Sequence, residues 1–109
     1  MTEDLQQHMS HIAQAVEQGH YRFTVHGAQR LIARGIERQE LEAAIARGRI
    51  IEHYPEHYYG PCSLVFGRTP TGRALHILCS LRRTVDIVTL YEPNPIEWEA
   101  DLQTRRKAQ

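Results

Sequence analysis

Three side chains suited to acid–base work or anion binding recur every four residues in "HGAQRLIAR": His26, Arg30 and Arg34. On a helix, steps of four residues drift by only about 40°, so the three form one stripe, with Ala28, Leu31 and Ile32 lying away from it. An imidazole beside two guanidinium groups suits cleavage of a phosphodiester through the RNA 2′-hydroxyl. That reaction needs a base, an acid for the leaving 5′-oxygen and fixed positive charge on the phosphorane, and it can proceed without a metal. The same stripe also reads as a solvated helix face, with Glu37 and Glu40 placed to pair with Arg34.

A second candidate is His76, in "RALHILCSL". In an alternating strand it shares a face with Ala74 and Leu78, while Leu75, Ile77 and Cys79 point the other way. Such a histidine is either a buried ring satisfied by a hydrogen bond or a catalyst. Thr89 and Tyr91, on a neighbouring strand, can bring a hydroxyl and a phenol to it where the sheet meets the second helix. The loop "EHYPEHYYGP" adds Tyr54, Tyr58, His53 and His57, and the "RR" turn between the last two strands carries Arg82 and Arg83. Exposed aromatics beside cations suit stacking of unpaired bases; the alternative is a polar loop anchored by its tyrosines. Pro55 removes the helical i, i+4 spacing from His53 and His57, and adding Cys62 leaves only a weak ligand set, so no metal is expected. The chain has no glycine-rich phosphate loop, no HExxH and no serine or cysteine elbow, and no cofactor is expected.

The net charge of zero hides an uneven distribution. From His20 to Tyr91 there are ten arginines against six acids, and the balancing acids lie towards the two ends. The only lysine is Lys107, so every base of the central block is the planar fork that suits bidentate phosphate contact. Cys62 and Cys79 are too few for a disulfide framework and read as reduced core thiols. No run approaches the roughly 20 apolar residues of a membrane span, and the N-terminus lacks a signal-peptide pattern, which makes the cytoplasm the expected compartment.

The elements that must position these groups follow from periodicity. Leu5, Met9, Ile12 and Val16 mark a first helix ending at Gly19. Thr24 is a fitting N-cap for a second helix to about Ala33, which Gly35 breaks. A third spans Glu37 to Arg47, with Leu41, Ala44 and Ile45 inward and Gly48 as a left-handed C-terminal residue. Beyond it the period becomes that of strands: "RIIEHY", "CSLVFG", "RALHILCSL" and "TVDIVTLY", joined by short turns that imply an antiparallel meander. Pro93 and Pro95 end the last strand, and 96–109 reads as a terminal helix with Ile96, Trp98 and Leu102 partly on one side. The expected architecture is a single α+β domain: a helical extension over 1–19, a core over 20–95 with helices on one face of a curled sheet of about four strands, and the C-terminal helix.

The segments "FTVHGAQRLIARGI", "EAAIARGRIIEHYP", "LVFG", "GRALHILCS" and "VDIVTLYEP" together resemble the domain of unknown function 4258 family over about residues 20 to 95. That family consists of small bacterial proteins often found beside a zinc-finger or helix-turn-helix antitoxin-like protein. It is in turn similar to the RelE-like, MqsR-like and BrnT-like toxins of type II toxin–antitoxin systems. The resemblance implies a RelE-like or MqsR-like fold and a messenger-RNA endoribonuclease held in check by a cognate antitoxin. It places the family's helix histidine and arginines at His26, Arg30 and Arg34, its strand histidine at His76, and brings Thr89 and Tyr91 with the "TLYEP" ending. The neutral net charge and the acidic first helix differ from many RelE-like toxins, and that helix suits a dimer or antitoxin surface.

The expected function is therefore a metal-independent endoribonuclease toxin, acting on RNA free or on the ribosome. His26 or His76 would serve as acid or base, Arg30 and Arg34 as phosphate clamps, Tyr91 as an orienting or proton-donating hydroxyl, and Thr89, Tyr54, Tyr58, Arg82 and Arg83 as substrate contacts. The alternative is a non-catalytic RNA- or protein-binding module of the same fold.

Overall fold

The computed structural model describes residues 2–82 and 84–107. Three helices, α1 (Thr2–Glu17), α2 (Val25–Ala33) and α3 (Arg38–Ala46), accompany five strands: β1 (Tyr21–Phe23), β2 (Arg49–Tyr54), β3 (Cys62–Arg68), β4 (Ala74–Ser80) and β5 (Val85–Tyr91). The sheet order is β1-β5-β4-β3-β2. The meander β2 to β5 is antiparallel as its short turns require, whereas β1 pairs in parallel with β5, making the sheet mixed. The expected four strands omitted β1, whose three residues are too few to display a period.

Alternation along β3, β4 and β5 gives the sheet two apolar faces. Val65, Leu75, Ile77, Cys79, Val85, Ile87 and Leu90 meet Ile12 and Val16 of α1, Ile36, and Leu41, Ala44 and Ile45 of α3. Cys62, Leu64, Leu78 and Val88 form a second, smaller core on the opposite face. A bulge separates the two sets on β5: Thr89 opposes Leu78 and Ile87 opposes Cys79, leaving Val88 as the extra residue, which packs into the second core.

The C-terminal segment closes that second face, and it does so without a helix. Over the described part of 96–109 the chain makes turns, with an isolated antiparallel bridge between Trp98 and Arg105. The Asp101 carboxylate accepts hydrogen bonds from the backbone N–H groups of Gln103 (2.9 Å) and Thr104 (3.1 Å), a local arrangement that competes with helical bonding. Leu102 takes φ 60°, Trp98 is buried, and Ile96, expected beside it, is exposed. The expected terminal helix is thus replaced by a strap.

Helix ends follow local chemistry, with one exception. Thr24 caps α2 by accepting from the Gly27 N–H (2.9 Å), and its own hydroxyl donates to the Val88 carbonyl (2.9 Å), tying α2 to the β5 bulge. Gly27 allows that contact, since a Cβ there would lie 2.3 Å from the Ile87 oxygen. Gly35, expected to break α2, follows its end and is left-handed. Gly48 is not left-handed; its side is occupied instead, a Cβ falling 2.7 Å from Cγ1 of Val65. The position therefore serves close packing of the α3–β2 corner on β3.

Candidate functional site

The α2 stripe forms as its spacing requires. His26, Arg30 and Arg34 are all exposed, and Leu31 packs on the main core beneath them. The partners that would have neutralised Arg34 are otherwise engaged: Glu40 accepts the Glu37 N–H (2.9 Å) and so caps α3. Among the described residues, the ion pairs are Arg22–Asp86, Arg73–Glu92, Arg105–Glu52 and Arg106–Glu99, and none involves Arg30 or Arg34. Arg73, just before β4, reaches across to donate to the Arg34 carbonyl (2.9 Å) while its guanidinium grips both oxygens of Glu92 (3.1 and 3.3 Å). That hydrogen-bonded pairing, followed by the charges of Arg73 and Arg34, holds the Glu92 carboxyl below its ordinary range. Glu92, whose carboxyl feels the Arg34 charge, is already committed to Arg73, which leaves the Arg30 and Arg34 forks for other anions.

His76 and Tyr91 meet, but on the face away from α2. They are register partners, with Nδ1 3.4 Å from the Tyr91 hydroxyl. Nε2 lies 2.7 Å from the Leu102 carbonyl. Since a carbonyl can only accept, Nε2 carries the proton and the bare Nδ1 faces the phenol. Trp98 covers the ring edge-on at 4.4 Å, and His76 is fully buried. The expected convergence of imidazole and phenol beside the second helix is therefore corrected to one beneath the strap. Thr89 is half-buried on the same face, two residues from Tyr91.

Tyr54 belongs to the strap's latch rather than to an open loop. Its hydroxyl donates to Glu52, whose carboxylate also takes Arg105 (2.8 Å), while the Arg105 guanidinium lies 4.6 Å over Trp98. Burial, then the bond to Glu52, pushes the Tyr54 phenol up to about 12. Tyr58 is exposed at the far end of the sheet, edge-on to Tyr59 (5.2 Å), and the Arg82 side chain lies against Gly60 in that same region. Arg83 lies outside the described residues. The stripe, the sealed cluster and the aromatic loop are thus three places: β4 alone, seven residues long, separates the Arg73 end from the Arg82 end by about 20 Å.

Burial, the largest influence, lowers the His76 pKa below its ordinary 6.5, and it does the same at His53, where the neighbouring His8 ring adds to the effect. The fold favours both rings neutral, so the unfolded chain binds more protons once the pH drops below 6.5. Stability should be flat from pH 8 to about 7 and fall from about 6.5 towards 5, before carboxylates begin to titrate. Thermal unfolding across that range checks this, with emission from the chain's one tryptophan reporting the strap. A melting point that rises on acidification would contradict it.

Trp98, Leu102, Arg105 and Arg73 all shape these sites and were not among the expected site residues. Arg73 carried a signal, as one of three Gly-Arg dipeptides at strand ends (48–49, 67–68 and 72–73). The strap residues carried none, because their partners are distant in the chain.

The family described as domain of unknown function (DUF4258) matches residues 23–92, well over half of the chain. The chain belongs to the DUF4258 family. The match begins at the last residue of β1, takes in α2, α3 and the whole meander, and ends where the strap begins. No curated protein and no solved structure matches the chain. Among the described residues of this DUF4258 member, no helix is long and apolar enough to cross a membrane. Both cysteines are free and buried, and burial pushes both thiols up.

Proposed function

We propose that this DUF4258 protein is the toxin of a type II toxin–antitoxin pair, a metal-independent endoribonuclease working in the cytoplasm through the α2 face. The observation that carries this reading is the exposed stripe of His26, Arg30 and Arg34, whose arginines have no ion-pair partner among the described residues. A base at His26 takes the proton of the RNA 2′-hydroxyl. The oxygen attacks phosphorus, the bond to the 5′-oxygen breaks, and the products are a 2′,3′-cyclic phosphate and a 5′-hydroxyl, whose proton comes from solvent water while the His26 imidazolium returns its proton to solvent. Arg30 and Arg34 stabilise the charge on the phosphorane. His76 and Tyr91 join this chemistry only if the strap withdraws; closed, they hold the second face together. A RelE-like relationship of the fold, a zinc-finger or helix-turn-helix antitoxin, action on the ribosome and homodimerisation through α1 belong to the same proposal.

A second reading, a non-catalytic RNA- or protein-binding module, draws support from the complete burial of His76 and the engagement of both its ring nitrogens. Induced expression in a bacterial host separates the two. The toxin reading expects growth arrest and messages cut to 5′-hydroxyl ends with the wild-type chain, and neither with His26→Ala. Normal growth with intact RNA would leave the binding module.

A further inference from the structure

A cleft of about 480 Å³ opens where α3 ends and the β2–β3 pair begins. Three arginines line it, Arg47, Arg49 and Arg68, together with Phe66, Gly67 and Pro70, and its lining contains no acid. All three arginines are exposed, and none takes part in an ion pair among the described residues. We propose that this cleft is a phosphate subsite for single-stranded RNA, an extension of the binding face that rests on the RNA-directed reading of α2.

Close packing brings the three together. A Cβ on Gly67 would lie 2.2 Å from the Ala44 carbonyl oxygen, so the last turn of α3 sits directly on β3. Gly48 allows the chain to turn against Val65, and the register then sets Arg49 opposite Phe66, two residues from Arg68. Arg68 is held in place, with its guanidinium 5.5 Å from the Phe66 ring centre and one N–H donated to the Gly72 carbonyl (3.2 Å). Its other donors have no hydrogen-bond partner among the described residues. The carbonyl end of α3 offsets part of the Arg47 charge, but a helix end carries only about half a charge against three guanidinium groups. The remaining repulsion is relieved by an anion.

The position of the cleft points to a polymer. Arg49 begins β2, Arg68 ends β3, Arg73 precedes β4, and Glu92 follows β5, where Arg73 bonds Arg34. These sites share one end of four adjacent strands, so arginines line a rim of about 15 Å leading from the cleft to the α2 stripe. Along that rim Glu92 is held by Arg73. A strand whose backbone follows the rim presents successive phosphates to Arg30 and Arg34, and then to the cleft.

The test uses a labelled 2′-O-methyl oligouridylate, which cannot be cut through its 2′-oxygen, titrated with the full chain over a salt series. Each single-strand phosphate contact contributes about 0.7 to the slope of log affinity against log salt. Arg47→Gln with Arg49→Gln, leaving Arg68 to hold its turn, should lower the slope by about 1.4 and weaken binding about tenfold at physiological salt. The corresponding lysine double variant should keep the slope, with wild-type circular dichroism confirming the fold of each. Unchanged slope and affinity in the glutamine variant, alongside lost binding in Arg30→Gln with Arg34→Gln, overturns the cleft and leaves the α2 reading standing. Loss in the cleft variant but not in the α2 variant supports the cleft and removes the stripe from RNA binding. A wild-type chain that does not bind the oligonucleotide overturns both.

Discussion

Trp98→Ala should destabilise the protein by about 3 to 5 kcal/mol, the range for deleting a buried large aromatic. The ring is 1% exposed and packs with Cys62, Leu64, Leu78 and Val88. It also covers His76 and carries the Arg105 guanidinium. The strap has little backbone pairing with which to survive this loss, since its internal bonds, such as Glu99 N–H to the Thr104 carbonyl (2.7 Å), join the strap to itself. Its attachment to the sheet rests on Trp98, Leu102 and the Arg105–Glu52 pair. Domains of this size are stable by only about 5 to 15 kcal/mol, and each kcal/mol moves the melting point by about 4 to 8 °C. Circular dichroism melting should therefore show a fall well above 10 °C, and Trp98→Phe should recover most of it. A loss within about 1 kcal/mol would mean that the strap packs on the sheet without supporting it. The variant also bears on chemistry. If His76 takes part in cleavage, opening the strap raises the rate; if His26 acts without it, the rate in the folded fraction is unchanged.

Local signals account for what was legible. Thr24 before an apolar period, Gly35 after it, and the two-residue alternation of "ALHILCS" each concern neighbours in the chain, and each appears in the structure. The assignment of His76 and Leu78 to one face, with Leu75, Ile77 and Cys79 on the other, is of this kind. What escaped depends on distant partners. Strand β1 is three residues whose pairing with β5 bridges more than sixty positions. The terminal segment has helical composition, yet Asp101 bonds its own following amides, and Trp98 and Leu102 find a sheet face left bare by the meander. Of the candidate site, the residue types and spacing of the stripe were readable. That its arginines would lack partners was not, because it turns on Glu40 capping α3 instead of pairing with Arg34.

If the chain cleaves RNA through α2 as proposed, replacing Arg30 and Arg34 together by Gln should reduce that cleavage by at least about a hundredfold while leaving the melting point unchanged. The stability half follows from exposure: both side chains stand in solvent without ion-pair partners among the described residues, and surface changes of this kind are usually close to neutral. Easing like-charge repulsion along α2 even favours the variant slightly. The activity half follows from where charge develops. A phosphodiester gains negative charge on its non-bridging oxygens as the 2′-oxygen adds, and loss of one preorganised donor at such a centre costs about 10²- to 10³-fold. Lysines at both positions restore the charge but not the planar fork, so they should recover RNA affinity more fully than the cleavage rate. This split separates a transition-state clamp from a simple electrostatic patch, for which lysine would restore both. Arg73→Gln provides the internal contrast. It removes the hold on the Arg34 carbonyl and frees Glu92 beside the stripe, so it should lower both cleavage and melting point. If cleavage survives the double glutamine change, the α2 face is an ordinary solvated surface and the chemistry lies elsewhere, with the residues under the strap the next to test.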